Sequence, residues 1–259
     1  MLKKKIHLCW ENITNKNNLI SFFSGLSLVF AYAPFSLWWL AWFIPCFWLH
    51  IINNSEAKQA AKQGFIFGLG WFISGIGWVH VSIDQFGGLP LPVSLTLILL
   101  LACYLALYPA LACYLTARFS QKRQLSLWLL PVFWLISEYC RGHFLTGFPW
   151  LSLGYSQIDS PLAHFAPVVG QVGITFILLL VNISLYQLSQ KTLIKQNSLF
   201  LISLSLLALA LAQQDWVQLK DKTTTVALVQ GNIKQELKWL PEQEWPTMLK
   251  YLDLSRLNA

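Results

Sequence analysis

The stretch LISFFSGLSLVFAYAPFSLWWLAWFIPCFWLHII, residues Leu19–Ile52, contains no Lys, Arg, Asp or Glu. A helix rises about 1.5 Å per residue and needs about 20 apolar residues to cross a bilayer. The stretch is therefore too long for one crossing and predicts two helices. We expect the break at Pro34, because proline ends helices and disfavours helical backbone at the residue before it.

Further apolar stretches follow as far as Ala212. With the first pair they predict seven membrane spans: Leu19–Ala33, Phe35–Ile52, Gly64–Ile83, Leu91–Ala117, Leu125–Tyr139, Leu162–Leu188 and Ser198–Ala212. Hydrophobic residues make up 56% of the 259 positions and charged residues 11%. In soluble domains about a quarter of all residues are charged. The predicted fold is an α-helical polytopic membrane bundle over residues 1–214.

Positive charges fall in alternate loops. Eleven Lys or Arg residues precede the first span or follow the second, fourth and sixth: Lys3, Lys4, Lys5, Lys16, Lys58, Lys62, Arg118, Lys122, Arg123, Lys191 and Lys195. The intervening loops hold only Arg141. Because cytoplasmic loops are rich in Lys and Arg, the N-terminus is predicted to be cytoplasmic and residues after Asp215 to lie outside. The net charge of +7 thus reflects topology and anionic lipid, not nucleic-acid binding.

The cysteines give no support for a metal site or a cofactor. The five are scattered, without C-x-x-C or metal-ligand spacing: Cys9, Cys46, Cys103, Cys113 and Cys140. Four lie in or near predicted spans, where cysteine packs as a small hydrophobic residue. Cys140 is beside Arg141, which would favour a reactive thiolate, but an inert packing residue at a helix end is the preferred interpretation.

Glu138 and Arg141 are three residues apart and therefore share one face of the fifth span. Glu138 lies about 20 Å along that span, a depth at which ionisable residues face the bundle interior or a water-filled cavity. Two interpretations remain open. The favoured one is an internal ion pair that fixes helix positions, and the other is a polar contact for a lipid headgroup from the outer leaflet.

The outer loop at residues 142–161 is too long and too apolar for a minimal turn. Its Phe148, Trp150 and Tyr155 are of the aromatic types that lie at headgroup depth. They form either an aromatic belt or a re-entrant segment that lines a lipid-accessible cavity, where non-helical backbone at membrane depth is tolerated. We predict that they line a lipid-facing entrance.

Residues 215–259 are predicted to begin a second, water-soluble domain. The β-branched run Thr223–Gln230 predicts one buried strand opening an α/β layer, and Glu242–Arg256 predicts an amphipathic helix. About 45 residues are too few to close a core. We therefore expect the chain to be truncated within this domain.

Several motifs resemble those of the bacterial apolipoprotein N-acyltransferases. In chain order they are VHVSI (79–83), FGG (86–88), Glu138 with Arg141-Gly142, LTGFPWL (145–151), GYSQID (154–159), VQGNI (229–233) and LKW (237–239). The two long motifs of the outer loop are specific, whereas VQGNI alone is moderately so. The resemblance covers essentially the whole chain.

The resemblance implies an inner-membrane bundle that carries a periplasmic nitrilase-like domain and a last span after it. It implies transfer of an acyl chain from a phospholipid to the α-amino group of the S-diacylglyceryl-cysteine of an apolipoprotein, the last step of lipoprotein maturation. In that family a glutamate acts as general base, a cysteine thiolate forms a thioester and a lysine holds the oxyanion. The lipoprotein amine then attacks the thioester.

This sequence departs from the family at the catalytic residues. The family's glutamate lies in a W-P-E motif shortly beyond Asn258-Ala259, and its lysine and cysteine lie further on. We therefore assign no catalytic residue and expect the chain alone to be inactive. Trp216 weakly matches a functional tryptophan of the family, since its flanking residues differ. The predicted lipid- or substrate-facing residues are Glu138, Arg141, Phe148, Trp150, Tyr155 and Trp216.

Two further functions were weighed against the enzyme. A non-catalytic remnant of the family that binds lipid or lipoprotein remains open. The nucleotides after the Ala259 codon distinguish it, because a fragment continues into W-P-E and a remnant meets a stop. A transporter is disfavoured, because the sequence shows no paired broken spans and no series of intramembrane acids.

Overall fold

The computed structural model describes residues 16–53, 55–120, 127–217, 224–238 and 240–257. By its internal contacts the chain divides into two compact units, Met1–Gln214 and Asp215–Ala259. The described helices of the first unit are α1 (residues 16–28), α2 (Leu40–Asn53), α3 (Ala57–Ile76), α4 (Val79–Gln85), α5 (Leu91–Phe119), α6 (Leu130–His143), α7 (Ala166–Ser189) and α8 (Ile194–Ala212). Short 3-10 turns join them at Val29–Ala31, Leu127–Leu129, Phe144–Thr146, Leu153–Gln157 and Pro161–Phe165.

The predicted break in the first apolar stretch is confirmed. Helical backbone ends at Ala31, the chain turns at Pro34, and α2 begins at Leu40. The predicted span Gly64–Ile83 is not a single straight helix, because it falls on α3 and α4, which are bent by 53° relative to each other. The bend falls at Gly77 and Trp78, between the two helices.

The first unit is a multi-pass helical membrane bundle. Among the described residues, three helices are long and apolar enough to cross a membrane by themselves: Leu91–Phe119, Pro161–Ser189 and Ile194–Ala212. The bent α3–α4 pair makes a fourth if it is one span, and α2 is a shorter apolar helix. Helix length and composition thus establish three or four spans, and the count of seven is a proposal.

Close packing of α3 on α5 organises the core of the first unit. A Cβ atom on Gly64 would lie 2.7 Å from the carbonyl oxygen of Pro109, and one on Gly68 would lie 3.0 Å from the Cα of Ala106. Glycine at both positions therefore lets the two backbones approach. Beside this contact lies an aromatic layer, in which the rings of Trp71 and Trp134 stack at 6.1 Å between centroids.

The second unit contains one described helix, α9 (Pro241–Arg256), which confirms the predicted amphipathic helix. The predicted strand is wrong, because described residues 224–230 are neither strand nor helix and are mostly exposed. A strand needs a hydrogen-bonding neighbour, and no described residue of this unit is in a strand. No residue of α9 is buried either, as expected of a segment too small to enclose a core.

Some residues used in the predictions lie outside the described residues. These are Lys3, Lys4, Lys5, Cys9, Lys122, Arg123, Leu125, Thr223, Trp239, Asn258 and Ala259.

Candidate functional site

An aromatic groove opens in the first unit where three parts of the chain meet. Its volume is about 550 Å³, within the range of small-molecule sites. It is lined by the turn after α1, the end of α3 and the outer loop, through Val29, Tyr32, Ala33, Pro34, Phe35, Ser74, Gly75, Trp78, Pro149, Trp150, Leu151, Tyr155 and Ile158. Most of these side chains are apolar, so the groove suits a hydrocarbon ligand.

Two of the three aromatic residues predicted to face lipid line this groove. Trp150 and Tyr155 are in its wall, each with a half-exposed ring, and Trp150 lies 6.3 Å from Trp78 between ring centroids. Phe148 does not line the groove. It is partly buried, packs against the core and contacts the ring of Trp150, with ring centroids 5.8 Å apart.

Arg141 ties the end of α6 to the outer loop. One of its guanidinium nitrogens donates to the carbonyl oxygen of Phe148 at 2.8 Å and also to that of Trp150. The backbone N–H of Phe148 donates in return to the carbonyl oxygen of Arg141 at 2.8 Å. The other guanidinium nitrogen pairs with Glu138 Oε1 at 3.2 Å. The loop carbonyls and the Glu138 carboxylate therefore share one cation.

Glu138 binds the next residues of the same loop. Its Oε1 accepts from the Ser152 hydroxyl at 2.5 Å and from the backbone N–H of Leu153 at 3.0 Å. Ser152 Oγ also lies 2.8 Å from the side-chain oxygen of Gln171. A hydroxyl carries one hydrogen, so the Gln171 amide must present its NH₂ group to Ser152 while Glu138 accepts. We call Glu138, Arg141, Ser152 and Gln171 the polar cluster.

The geometry of the polar cluster favours the internal ion pair over a headgroup contact. The side chains of Arg141 and Glu138 are only 3% and 12% exposed, and neither lines the aromatic groove. They border a separate cavity with about 10 Å³ of space for the centre of a water molecule, which is room for about one water. Three buried atoms around it have no partner: Glu138 Oε2, Ser137 Oγ and Trp71 Nε1.

Trp216 belongs to the second unit, where its side chain is half-exposed. Of the six predicted residues, Glu138 and Arg141 form an ion pair, and Trp150 and Tyr155 line the same groove. Within the described residues, no three His, Cys, Asp or Glu side chains come together as a metal site.

Sequence reasoning missed two residues that hold the loop. The Tyr32 hydroxyl donates to the carbonyl oxygens of Leu151 at 3.3 Å and Ser152 at 3.4 Å. Gln157 is completely buried, accepts from Trp42 Nε1 at 2.7 Å and donates to the carbonyl oxygen of Trp38 at 3.3 Å. An amide inside an apolar loop was the available signal, because buried polar groups require partners.

Comparisons with known proteins agree with the motifs. Residues 24–184 match the family described as the apolipoprotein N-acyltransferase N-terminal domain. The chain is 46% identical to the apolipoprotein N-acyltransferase of Vibrio vulnificus, over 94% of this chain and 48% of that protein. Its identity is 45% to the Vibrio cholerae protein and 39% to the Haemophilus influenzae protein, over 93% of this chain in both and 48% and 47% of those proteins. The chain thus spans about half the length of the curated relatives it matches.

Proposed function

The chain belongs to the apolipoprotein N-acyltransferase family, and we propose that it is the membrane part of an enzyme that acylates lipoproteins. The proposed donor is a phospholipid. The proposed acceptor is the α-amino group of an S-diacylglyceryl-cysteine at the N-terminus of an apolipoprotein. The observation that carries the role of this chain is the aromatic groove, because it offers a hydrocarbon-lined site of about 550 Å³ beside the outer loop.

The groove is proposed to hold an acyl chain of the donor or the acceptor. Each buried methylene contributes about 0.8 kcal/mol, so an apolar wall favours a long chain without any charged contact. Trp150 and Tyr155 combine an apolar ring with a polar tip. This combination fits a position where the acyl chain meets its polar headgroup.

Glu138 and Arg141 are proposed to position the groove and not to bind the headgroup. Arg141 is buried and Glu138 is mostly buried, and both use their polar atoms on the backbone of Phe148, Trp150 and Leu153. Their substitution is therefore expected to act on the substrate through the shape of the loop.

Trp150→Ala in a full-length relative of this sequence tests the groove. We expect transfer of acyl chains to a diacylated lipopeptide to fall more than the abundance of the protein in the membrane. The matched control is Phe47→Ala, because Phe47 is an exposed aromatic residue of α2 that does not line the groove. Equal losses of activity and abundance in the Trp150 variant would favour the aromatic belt instead.

Seven crossings with a cytoplasmic N-terminus are also proposed. The support is the alternation of Lys and Arg between loops. The helices α2 and α6 have only 14 residues each, so in this proposal the turns that flank them complete the crossing. Cysteine labelling is expected to place position 120 inside and positions 88, 155 and 230 outside. A cytoplasmic position 230 would contradict the proposal.

Residues 215–259 are proposed to begin the periplasmic nitrilase-like domain. The catalytic Glu, Lys and Cys of the family are proposed to lie in the part of the relatives that this chain does not cover. In detergent with phosphatidylethanolamine and a diacylated lipopeptide, the purified chain is expected to form neither an acyl-enzyme thioester nor a triacylated product. A hydroxylamine-sensitive acyl group on Cys140 would contradict this and make that thiol a nucleophile.

A further inference from the structure

A second cavity of the first unit shares no residue with the aromatic groove. Its volume is about 510 Å³, and it lies between the end of α2, the 3-10 turn before α6 and the end of α7. We call it the amide pocket, and its described lining is Asn53, Leu127, Tyr186, Gln187, Gln190, Thr192 and Leu193. Lys58 and Lys62 lie near the start of α3, the helix that follows α2. Lys191 lies in the turn after α7, and Lys195 is the second residue of α8.

The orientation of Gln187 in this pocket is fixed by Asn197. Gln187 is 6% exposed and Asn197 is 2% exposed. The Asn197 amide nitrogen donates to Gln187 Oε1 at 3.0 Å and to the carbonyl oxygen of Thr192 at 3.2 Å. Because a carbonyl only accepts, the second bond fixes which atom of Asn197 is the nitrogen, so Gln187 must present its oxygen to it. The NH₂ group of Gln187 is thereby left as an unused donor in the pocket lining.

The segment that closes the pocket is held in an unusual conformation. Lys191 and Leu193 have φ angles of 55° and 47°, which residues other than glycine rarely adopt. Between them, Thr192 donates its backbone N–H to the carbonyl oxygen of Gln187 at 2.9 Å. Such conformations persist only where the surrounding structure holds them, and they concentrate at functional sites.

The chemistry of the lining fits a phosphate. Gln187 offers both hydrogens of its NH₂ group. The NH₂ group of Gln190 uses one hydrogen in its bond to the Ser189 hydroxyl and offers the other. None of the described lining residues is acidic, so none repels an anion. Lys191 is exposed beside Gln190 and Thr192. Leu127 and Leu193 add an apolar wall of the kind that glycerol and the first methylenes of a lipid would contact.

We propose that the amide pocket binds the phosphodiester headgroup of an anionic phospholipid. The pocket lies at the ends of α2 and α7, and lysines occur in the turn after α7 and near the starts of α3 and α8. Basic pockets between membrane helices attract anionic headgroups. In the proposed orientation this is the cytoplasmic leaflet. The ligand is therefore separate from the acyl donor, which the aromatic groove would take from the opposite side.

Lipid retention by the purified chain tests the proposal. After incubation in detergent with phosphatidylglycerol, phosphatidylethanolamine or inorganic phosphate, native mass spectrometry should show one phosphatidylglycerol retained in preference to the other two. Gln187→Glu keeps the shape of the side chain and the acceptor for Asn197, but it replaces the donor with an anionic oxygen. Losing a hydrogen bond to a charged group should weaken phosphatidylglycerol binding about tenfold.

Gln190→Ala provides a second variant that leaves the buried contacts intact, and it should weaken retention in the same direction. Its matched control is Gln213→Ala at the exposed end of α8, which should retain lipid as the unaltered chain does. Undiminished phosphatidylglycerol binding by Gln187→Glu would overturn the proposal. Inorganic phosphate that displaces the lipid at equal concentration would also overturn it, because the site would then recognise the free anion.

Discussion

Replacing Arg141 with Met should destabilise the first unit by about 3–5 kcal/mol. The change keeps an unbranched side chain of similar length but removes the partner of a buried carboxylate, which costs this much in proteins. It also removes the donor from the carbonyl oxygens of Phe148 and Trp150. These carbonyls add little, because the outer loop is partly exposed and water can replace the lost donor.

Glu138→Gln is the matched variant at the other side of the ion pair. The Gln oxygen can still accept from Ser152 and Leu153, so the expected loss is about 1–3 kcal/mol, the worth of hydrogen bonds to a charged group. In the double variant neither charge is left unpaired. Its loss should therefore be smaller than the sum of the two single losses by at least about 1 kcal/mol.

Unfolding of the purified chain by SDS in mixed micelles measures these three losses, and limited chymotrypsin digestion locates them. We expect faster cleavage within residues 144–158 in both single variants, because the polar cluster holds this loop. Single losses that add to within about 0.5 kcal/mol would refute the reasoning, since Glu138 and Arg141 would then not act through each other. An Arg141 variant with unchanged loop cleavage would refute the positioning role.

Three glycines give further predictions. Gly75→Ala should weaken binding of a fluorescent fatty-acyl probe with little change in thermal stability, because the new Cβ would lie 2.2 Å from Leu151 Cδ1 and this flexible side chain would turn into the groove. Gly154→Ala should cost about 1–3 kcal/mol in SDS unfolding, because its Cβ would lie 2.3 Å from the rigid carbonyl oxygen of Gln171. Gly142→Ala in α6 meets nothing within 4 Å and should stabilise the chain by about 0.5–1 kcal/mol; a loss as large as that of Gly154→Ala would contradict the packing argument.

The helices of the first unit were predictable because their signal is local. An uninterrupted apolar run can satisfy its backbone only as a helix in the membrane, so each predicted span contains helical residues. The break at Pro34 was predictable for the same reason, since proline acts on its own backbone. The bend between α3 and α4 was not, because Gly77 permits a bend without requiring one.

The contacts of the candidate site depend on distant residues, and this limits prediction. The pairing of Glu138 with Arg141 follows from helix periodicity. The bond from Ser152 to Glu138 does not, because it spans 14 residues across an irregular loop. Leu151 adopts a φ of 58°, which nothing in the side chain of leucine favours. The strand prediction failed for a related reason, since β-branched residues favour a strand only where a neighbouring strand is present.

The outer loop takes part in both the polar cluster and the aromatic groove. Trp150 gives its carbonyl oxygen to Arg141, whereas its ring lines the groove. Non-helical backbone at membrane depth survives only where protein or water satisfies its polar groups. With those groups held by Arg141, Glu138 and Tyr32, the side chains of the loop are free to form an apolar wall. The ion pair of Glu138 and Arg141 can therefore shape the aromatic groove without lining it.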